Sequence, residues 1–125
     1  MNAKSFQVDS VDQLRREITS AKSGGFEATL AIVFLGLNHD AAGVGKVFSD
    51  NDIQLIAGNS WGEFVDGKIV SDTIAVMLLD LDPNAFYVRL DDIGDHKEEE
   101  VTAIVALEAL ERFQHPSFII LTGRI

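Results

Sequence analysis

The chain has 125 residues, of which 46% are hydrophobic and 24% charged, and twenty acids against ten bases leave a net charge of −10. That is the length of one domain, with apolar content that excludes intrinsic disorder, and the absence of cysteine excludes disulfides, thiolate metal sites and a cysteine nucleophile. The acidic balance argues against nucleic acid and against an anionic membrane surface, since both are bound through clustered Lys and Arg and the densest basic group here is the pair Arg15–Arg16.

Ser5 to Asp9 reads as a short strand. Ser10, with Gln13 three positions on, opens a capping-box pattern, and Val11, Leu14, Ile18 and Ala21 follow at helical spacing until Gly24–Gly25. Ala28 to Leu35 is almost wholly apolar, the signature of a strand in a parallel sheet covered by helices above and below. Asn38 is the expected N-cap of a helix carrying Ala41, Val44, Val47 and Phe48, weakened by Gly43 and Gly45. Ile53 to Ala57 is a second apolar strand.

Phe64 to Val70 then predicts two short strands about Asp66–Gly67. Thr73 to Leu81 is a long apolar strand, Asp82-Pro83-Asn84 a turn, and Ala85 to Leu90 alternates as a half-exposed antiparallel strand. Asp95 is placed to cap a helix from Lys97 to Gln114, whose acidic turn Glu98-Glu99-Glu100 complements the helix dipole. Phe118 to Leu121 reads as a last strand. The expected fold is therefore a single α/β domain over the whole chain, with helices packed on a mixed sheet. Its order is β-α-β-α-β, hairpin, β-β-α-β. The broad apolar face of the last helix (Val101, Ile104, Val105, Leu107, Leu110, Phe113) points to a further covering element at this end: a second half of the protein, another subunit, or the domain's own interior.

No apolar run reaches the roughly 18–20 residues of a membrane-spanning helix, and Met1 to Ser10 is no signal core. A cytoplasmic location is expected. From Asp80 to Glu100 eight acids stand against Arg89 and Lys97, without the spacing of a calcium loop, and read as a solvated edge. The histidines His39, His96 and His115 lack metal-ligand spacing, so no metal or other cofactor is expected. Asp40 to Lys46 resembles a phosphate loop only superficially, because Asp40 and Val47 stand where that loop needs Gly and Ser or Thr.

Gly58-Asn59-Ser60-Trp61-Gly62 matches the five-residue nucleophile elbow of serine hydrolases, with Asp80 or Asp91 and His96 or His115 as formal triad partners. The elbow requires a following helix, and here Glu63 leads into a hairpin, so a non-catalytic reading is preferred. The stronger argument is positional. Ligands of parallel α/β sheets bind beyond the carboxyl ends of the strands. If the strands at Ala28–Leu35 and Ile53–Ala57 are parallel, Asn38 and His39 meet Asn59, Ser60, Trp61, Gly62 and Glu63. Free N–H groups at a helix start would suit a carboxylate, Glu63 an ammonium group, and Trp61 would supply an apolar or cation-binding wall. An amino acid fits that set. The plainer alternative has Trp61 as core filler and Glu63 as a surface residue.

Ile53 to Glu63, followed by Asp66-Gly67-Lys68 and the strand Thr73 to Leu81, resembles the N-terminal part of FIST domains, with Leu30 to Leu35 as the buried strand ahead of it. Ser60, Gly62 and Glu63 carry the match most closely; Ala57 stands where a glycine is usual, and the cysteine of many members is missing. The resemblance implies a sensory domain of signal transduction that binds small molecules such as amino acids, with no established catalytic residues and with a C-terminal FIST region following. Two other functions compete. One is an assembly module that dimerises through the helix Lys97 to Gln114 and the neighbouring strand; the other is hydrolysis at Ser60.

Overall fold

The computed structural model describes residues 1–122. Two compact units follow one another along the chain, Met1–Phe86 and Tyr87–Ile125. The first contains β1 (Ala3–Val8), α1 (Val11–Ser23), β2 (Leu30–Leu35), α2 (Ala41–Ser49), β3 (Gln54–Asn59), the hairpin β4 (Glu63–Val65) and β5 (Lys68–Val70), and β6 (Ile74–Leu79). The second contains α3 (Glu98–Arg112). The protein is α/β, with helices packed on a mixed four-stranded sheet.

The sheet order is β1-β6-β2-β3. β2 and β3 are parallel, the condition on which the positional argument rested, whereas β6 runs antiparallel to both of its neighbours, β1 and β2. Both crossovers, β1-α1-β2 and β2-α2-β3, therefore advance in one direction across the sheet. Right-handed crossovers of that kind place their helices on the same face. This corrects the expectation of helices above and below: Leu14 and Ile18 of α1 and Val44, Val47 and Phe48 of α2 join one core with Ala31, Val33 and Leu35 of β2 and Ile74, Val76 and Leu78 of β6. Burial of each large side chain there contributes about 1.5–3 kcal/mol. On the opposite face Phe34 and Met77 remain 37% and 43% exposed.

Local chemistry explains the element ends. Ser10 caps α1, its Oγ accepting the Gln13 N–H at 3.2 Å, while the Gln13 side chain accepts the Asp9 N–H at 3.0 Å. α2 is capped by Asp40, whose carboxylate accepts the Gly43 N–H at 2.9 Å, and not by Asn38. The turn closed by the His39 N–H on the Gly36 carbonyl delays the helix to Ala41. The β4–β5 hairpin turns on Asp66 and Gly67, with φ of 48° and 82°; two successive left-handed residues make the turn type whose twist matches a two-residue hairpin.

Three expectations fail downstream. Ala85 to Leu90 forms no strand, because β6 already has a neighbour on each side and leaves no edge to pair with. Instead Arg89 pairs with Asp91 at 2.8 Å and with Glu108 of α3, and the Arg112 guanidinium lies 4.0 Å from the Tyr87 ring centre. Phe118 to Leu121 is likewise unpaired; its apolar run has no strand among the described residues of the second unit to join. α3 spans Glu98 to Arg112 rather than Lys97 to Gln114. Its N-cap position is Lys97, without a side-chain hydrogen bond, because Asp95 falls two residues too early.

Candidate functional site

The carboxyl ends of β2 and β3 emerge side by side, and the loops that follow them are joined by the Ser60 N–H donating to the Leu35 carbonyl at 3.0 Å. β6 enters the same end of the sheet from the other direction, and the Gly36 N–H donates to the Thr73 carbonyl at 3.0 Å. Three connections thus converge: Gly36–Asp40, Asn59–Gly62 and Ser71–Thr73. The close approach depends on Gly36, where a Cβ would lie 2.7 Å from the Asp72 Cα.

Asp72 sits left-handed at φ 54°. That conformation turns its carbonyl to the His39 Nε2 at 2.9 Å and its carboxylate to the Asn38 Nδ2 at 3.2 Å. A carbonyl only accepts, so the Nε2 of His39 carries the proton of that bond. The His39 side chain is 13% exposed, with the Asp72 carboxylate 3.9 Å from Nε2.

Glu63, the first residue of β4, is 2% exposed. Its carboxylate accepts from the Ser60 Oγ at 3.2 Å and from the buried Thr73 Oγ1 at 3.3 Å. Both distances are long for hydroxyl bonds to a carboxylate, which run to about 2.5–2.7 Å when the oxygen is ionised. Among the described residues Glu63 has no basic partner. A buried carboxylate without one favours any cation that reaches it.

The single Ser60 hydroxyl proton has two acceptors, the Gly62 carbonyl at 2.7 Å and, less closely, the Glu63 carboxylate at 3.2 Å, while its Oγ accepts the Gly62 N–H at 3.1 Å. Its hydrogen-bond partners are Gly62 and Glu63, with no imidazole among them, and the chain continues into β4 rather than a helix. Trp61 does not form a wall: it is 91% exposed, beyond the turn that Ser60 closes.

Asn38 and His39 are thus hydrogen-bonded to Asp72, and Ser60 and Thr73 to Glu63; the two groups are joined by the chain itself at Asp72 and Thr73, two residues that sequence reasoning missed. The available signal was the position of Ser71-Asp72-Thr73 immediately before a buried strand, which antiparallel pairing brings to the carboxyl ends of β2 and β3. No group of three or more His, Asp or Glu side chains suited to a metal ion occurs among the described residues, and no helix there is long and apolar enough to cross a membrane. Comparison of the chain with protein-family models, with curated proteins and with solved structures found no match.

Proposed function

We propose that this chain is a non-catalytic small-ligand-binding domain of the FIST type, acting as a sensor in signal transduction, with Glu63 as the group that receives a cationic ligand head such as the ammonium of an amino acid. The single observation behind this reading is the Glu63 carboxylate, buried beside two converging loops and held only by two long hydroxyl bonds. Asn38 and His39, seated on Asp72, lie at the neighbouring strand end and supply polar groups for the rest of the ligand. Asn59 and Gly62 offer backbone to it, and Trp61 stands at the rim. Opening the turn that Ser60 closes would admit the ligand to Glu63.

Thermal unfolding of the full chain against a panel of amino acids, simple amines and simple carboxylates tests this. A ligand at a hundredfold excess over its dissociation constant stabilises the native state by about 2.7 kcal/mol. The expected result is stabilisation by compounds with an ammonium group, loss of that effect in Glu63→Gln, and a change in Trp61 fluorescence on binding. Stabilisation by carboxylates alone, or equal stabilisation of Glu63→Gln, would remove Glu63 from the site; no stabilisation by any compound would remove the reading.

A further inference from the structure

Ser60 and Thr73 are anchored to the sheet through their backbones. The Ser60 N–H donates to the Leu35 carbonyl at 3.0 Å, and the Thr73 carbonyl accepts the Gly36 N–H at 3.0 Å. Between these anchors the β4–β5 hairpin forms a separate two-stranded sheet, three residues to a strand. A hairpin of that size is marginally stable by itself. Among the described residues no backbone hydrogen bond joins residues 61–71 to the rest of the chain, and none of them belongs to the hydrophobic core.

Alternation gives the hairpin two faces. Phe64 and Ile69 stand directly opposite one another on the outer face, 72% and 82% exposed. The inner face carries the buried Glu63 opposite Val70, with Val65 beside them, and both valines are half-buried. Three side-chain hydrogen bonds tie this hairpin down among the described residues. At its base Ser60 and Thr73 donate to the Glu63 carboxylate at 3.2 and 3.3 Å. At its tip the Ser5 Oγ of β1 donates to the Asp66 carboxylate at 2.6 Å.

We propose that the β4–β5 hairpin is a lid over the Glu63 site. It swings on Trp61–Gly62 at one end and Ser71 at the other, and it opens Glu63 to solvent when the Ser5–Asp66 clasp parts. Trp61, Gly62 and Ser71 are exposed and lie at element ends, next to residues fixed on the sheet, which is where lid hinges sit. A segment with little buried apolar surface and polar tethers opens locally, at far lower free energy than the whole fold.

Closure desolvates a carboxylate that has no basic partner, which opposes it; the half-buried valines and the clasp favour it. On the reading of Glu63 as the acceptor of a cationic ligand head, such a ligand offsets the desolvation in the closed state alone and so shifts the lid toward closure. The ligand's part in this rests on that reading; the lid itself does not.

The test uses the full chain without any ligand. Coupling of glycine ethyl ester to Glu63 by a carbodiimide is followed by peptide mass mapping, and hydrogen exchange is measured alongside. Glu63 is expected to couple in the folded protein at a rate nearly independent of low urea concentrations, with exchange in β4 and β5 faster than in β2 and β6. Ser5→Ala should raise the coupling rate about two- to tenfold and leave exchange in β2 and β6 unchanged. The chain has no cysteine, so Ser5→Cys and Asp66→Cys combined, bridged by a short bifunctional thiol reagent, should hold the lid shut and suppress coupling; the unbridged double variant should couple faster than the parent. A rate unchanged by the bridge, a rate unchanged in Ser5→Ala, or exchange in β4 and β5 as slow as in β2 and β6 would each overturn the lid. A compound panel that stabilises nothing would remove the ligand reading and leave these results standing.

Discussion

Replacing Gly36 by alanine tests the close approach on which the loop cluster depends. The new Cβ would lie 2.6 Å from the Asp72 Oδ1 and 2.7 Å from the Asp72 Cα. The carboxylate oxygen can swing aside. The Cα cannot, except by moving backbone that also accepts from the His39 Nε2 at 2.9 Å and leads into Thr73, whose carbonyl accepts the Gly36 N–H at 3.0 Å. Carbon atoms are at ease at about 3.5–4.0 Å, so roughly 1 Å must be found. Overpacking of this kind costs about 1–3 kcal/mol. Loosening the two hydrogen bonds places the loss toward the upper end of that range. For a domain of this size each kcal/mol lowers Tm by about 3–5 °C, so thermal unfolding followed by circular dichroism should detect the change easily. Gly45→Ala is the internal control. Nothing lies within 4 Å of a Cβ at that position inside α2, and the helix should gain about 0.5–1 kcal/mol. A Gly36→Ala protein as stable as the parent would refute the close approach, and with it the seating of Asn38 and His39 on Asp72.

Further expectations concern caps, charge and the buried acid. Asp40→Ala should cost about 1 kcal/mol in denaturant unfolding, and Asn38→Ala clearly less, because only Asp40 caps α2; equal losses would contradict the capping geometry. The Asp80 carboxyl is held below its ordinary value of 3.8 by the backbone and side-chain hydrogen bonds from Asn2. A depressed carboxyl stabilises the fold above its unfolded pKa and ceases to do so as pH falls through the folded value. Asp80→Asn should therefore be the less stable protein at pH 7, with the gap closing below about pH 4; a gap that is constant with pH would exclude this origin. Glu63→Ala should lose about 1–3 kcal/mol by stranding Thr73, and Glu63→Gln, which keeps shape and an acceptor, should lose less.

Helix existence was legible because caps and periodicity are local properties. Ser10, Gln13 and the spacing of Leu14, Ile18 and Ala21 describe α1 without reference to anything distant, and Asp66–Gly67 marks the hairpin for the same reason. The parallel pairing of β2 and β3 was also within reach, since a helix of ordinary length joins two apolar runs. That was enough to bring Asn38 and His39 to the same end of the sheet as Ser60 and Glu63.

What lay beyond the sequence was every property that depends on who stands beside whom. β6 inserts between β1 and β2, and that one pairing places both helices on a single face, leaves Ala85–Leu90 no place beside β6, and delivers Asp72 and Thr73 to the loop cluster. The same convergence buries Glu63 and leaves Trp61 exposed, whereas the local pattern admitted Trp61 either as a ligand wall or as core filler and Glu63 either as a ligand's acceptor or as a surface acid. An apolar run such as Phe118–Leu121 states only a need for cover, because hydrophobicity has no direction and a strand exists only where a neighbour offers free N–H and carbonyl groups. The local pattern decided which segments form elements; the order of strands in the sheet decided which of them meet.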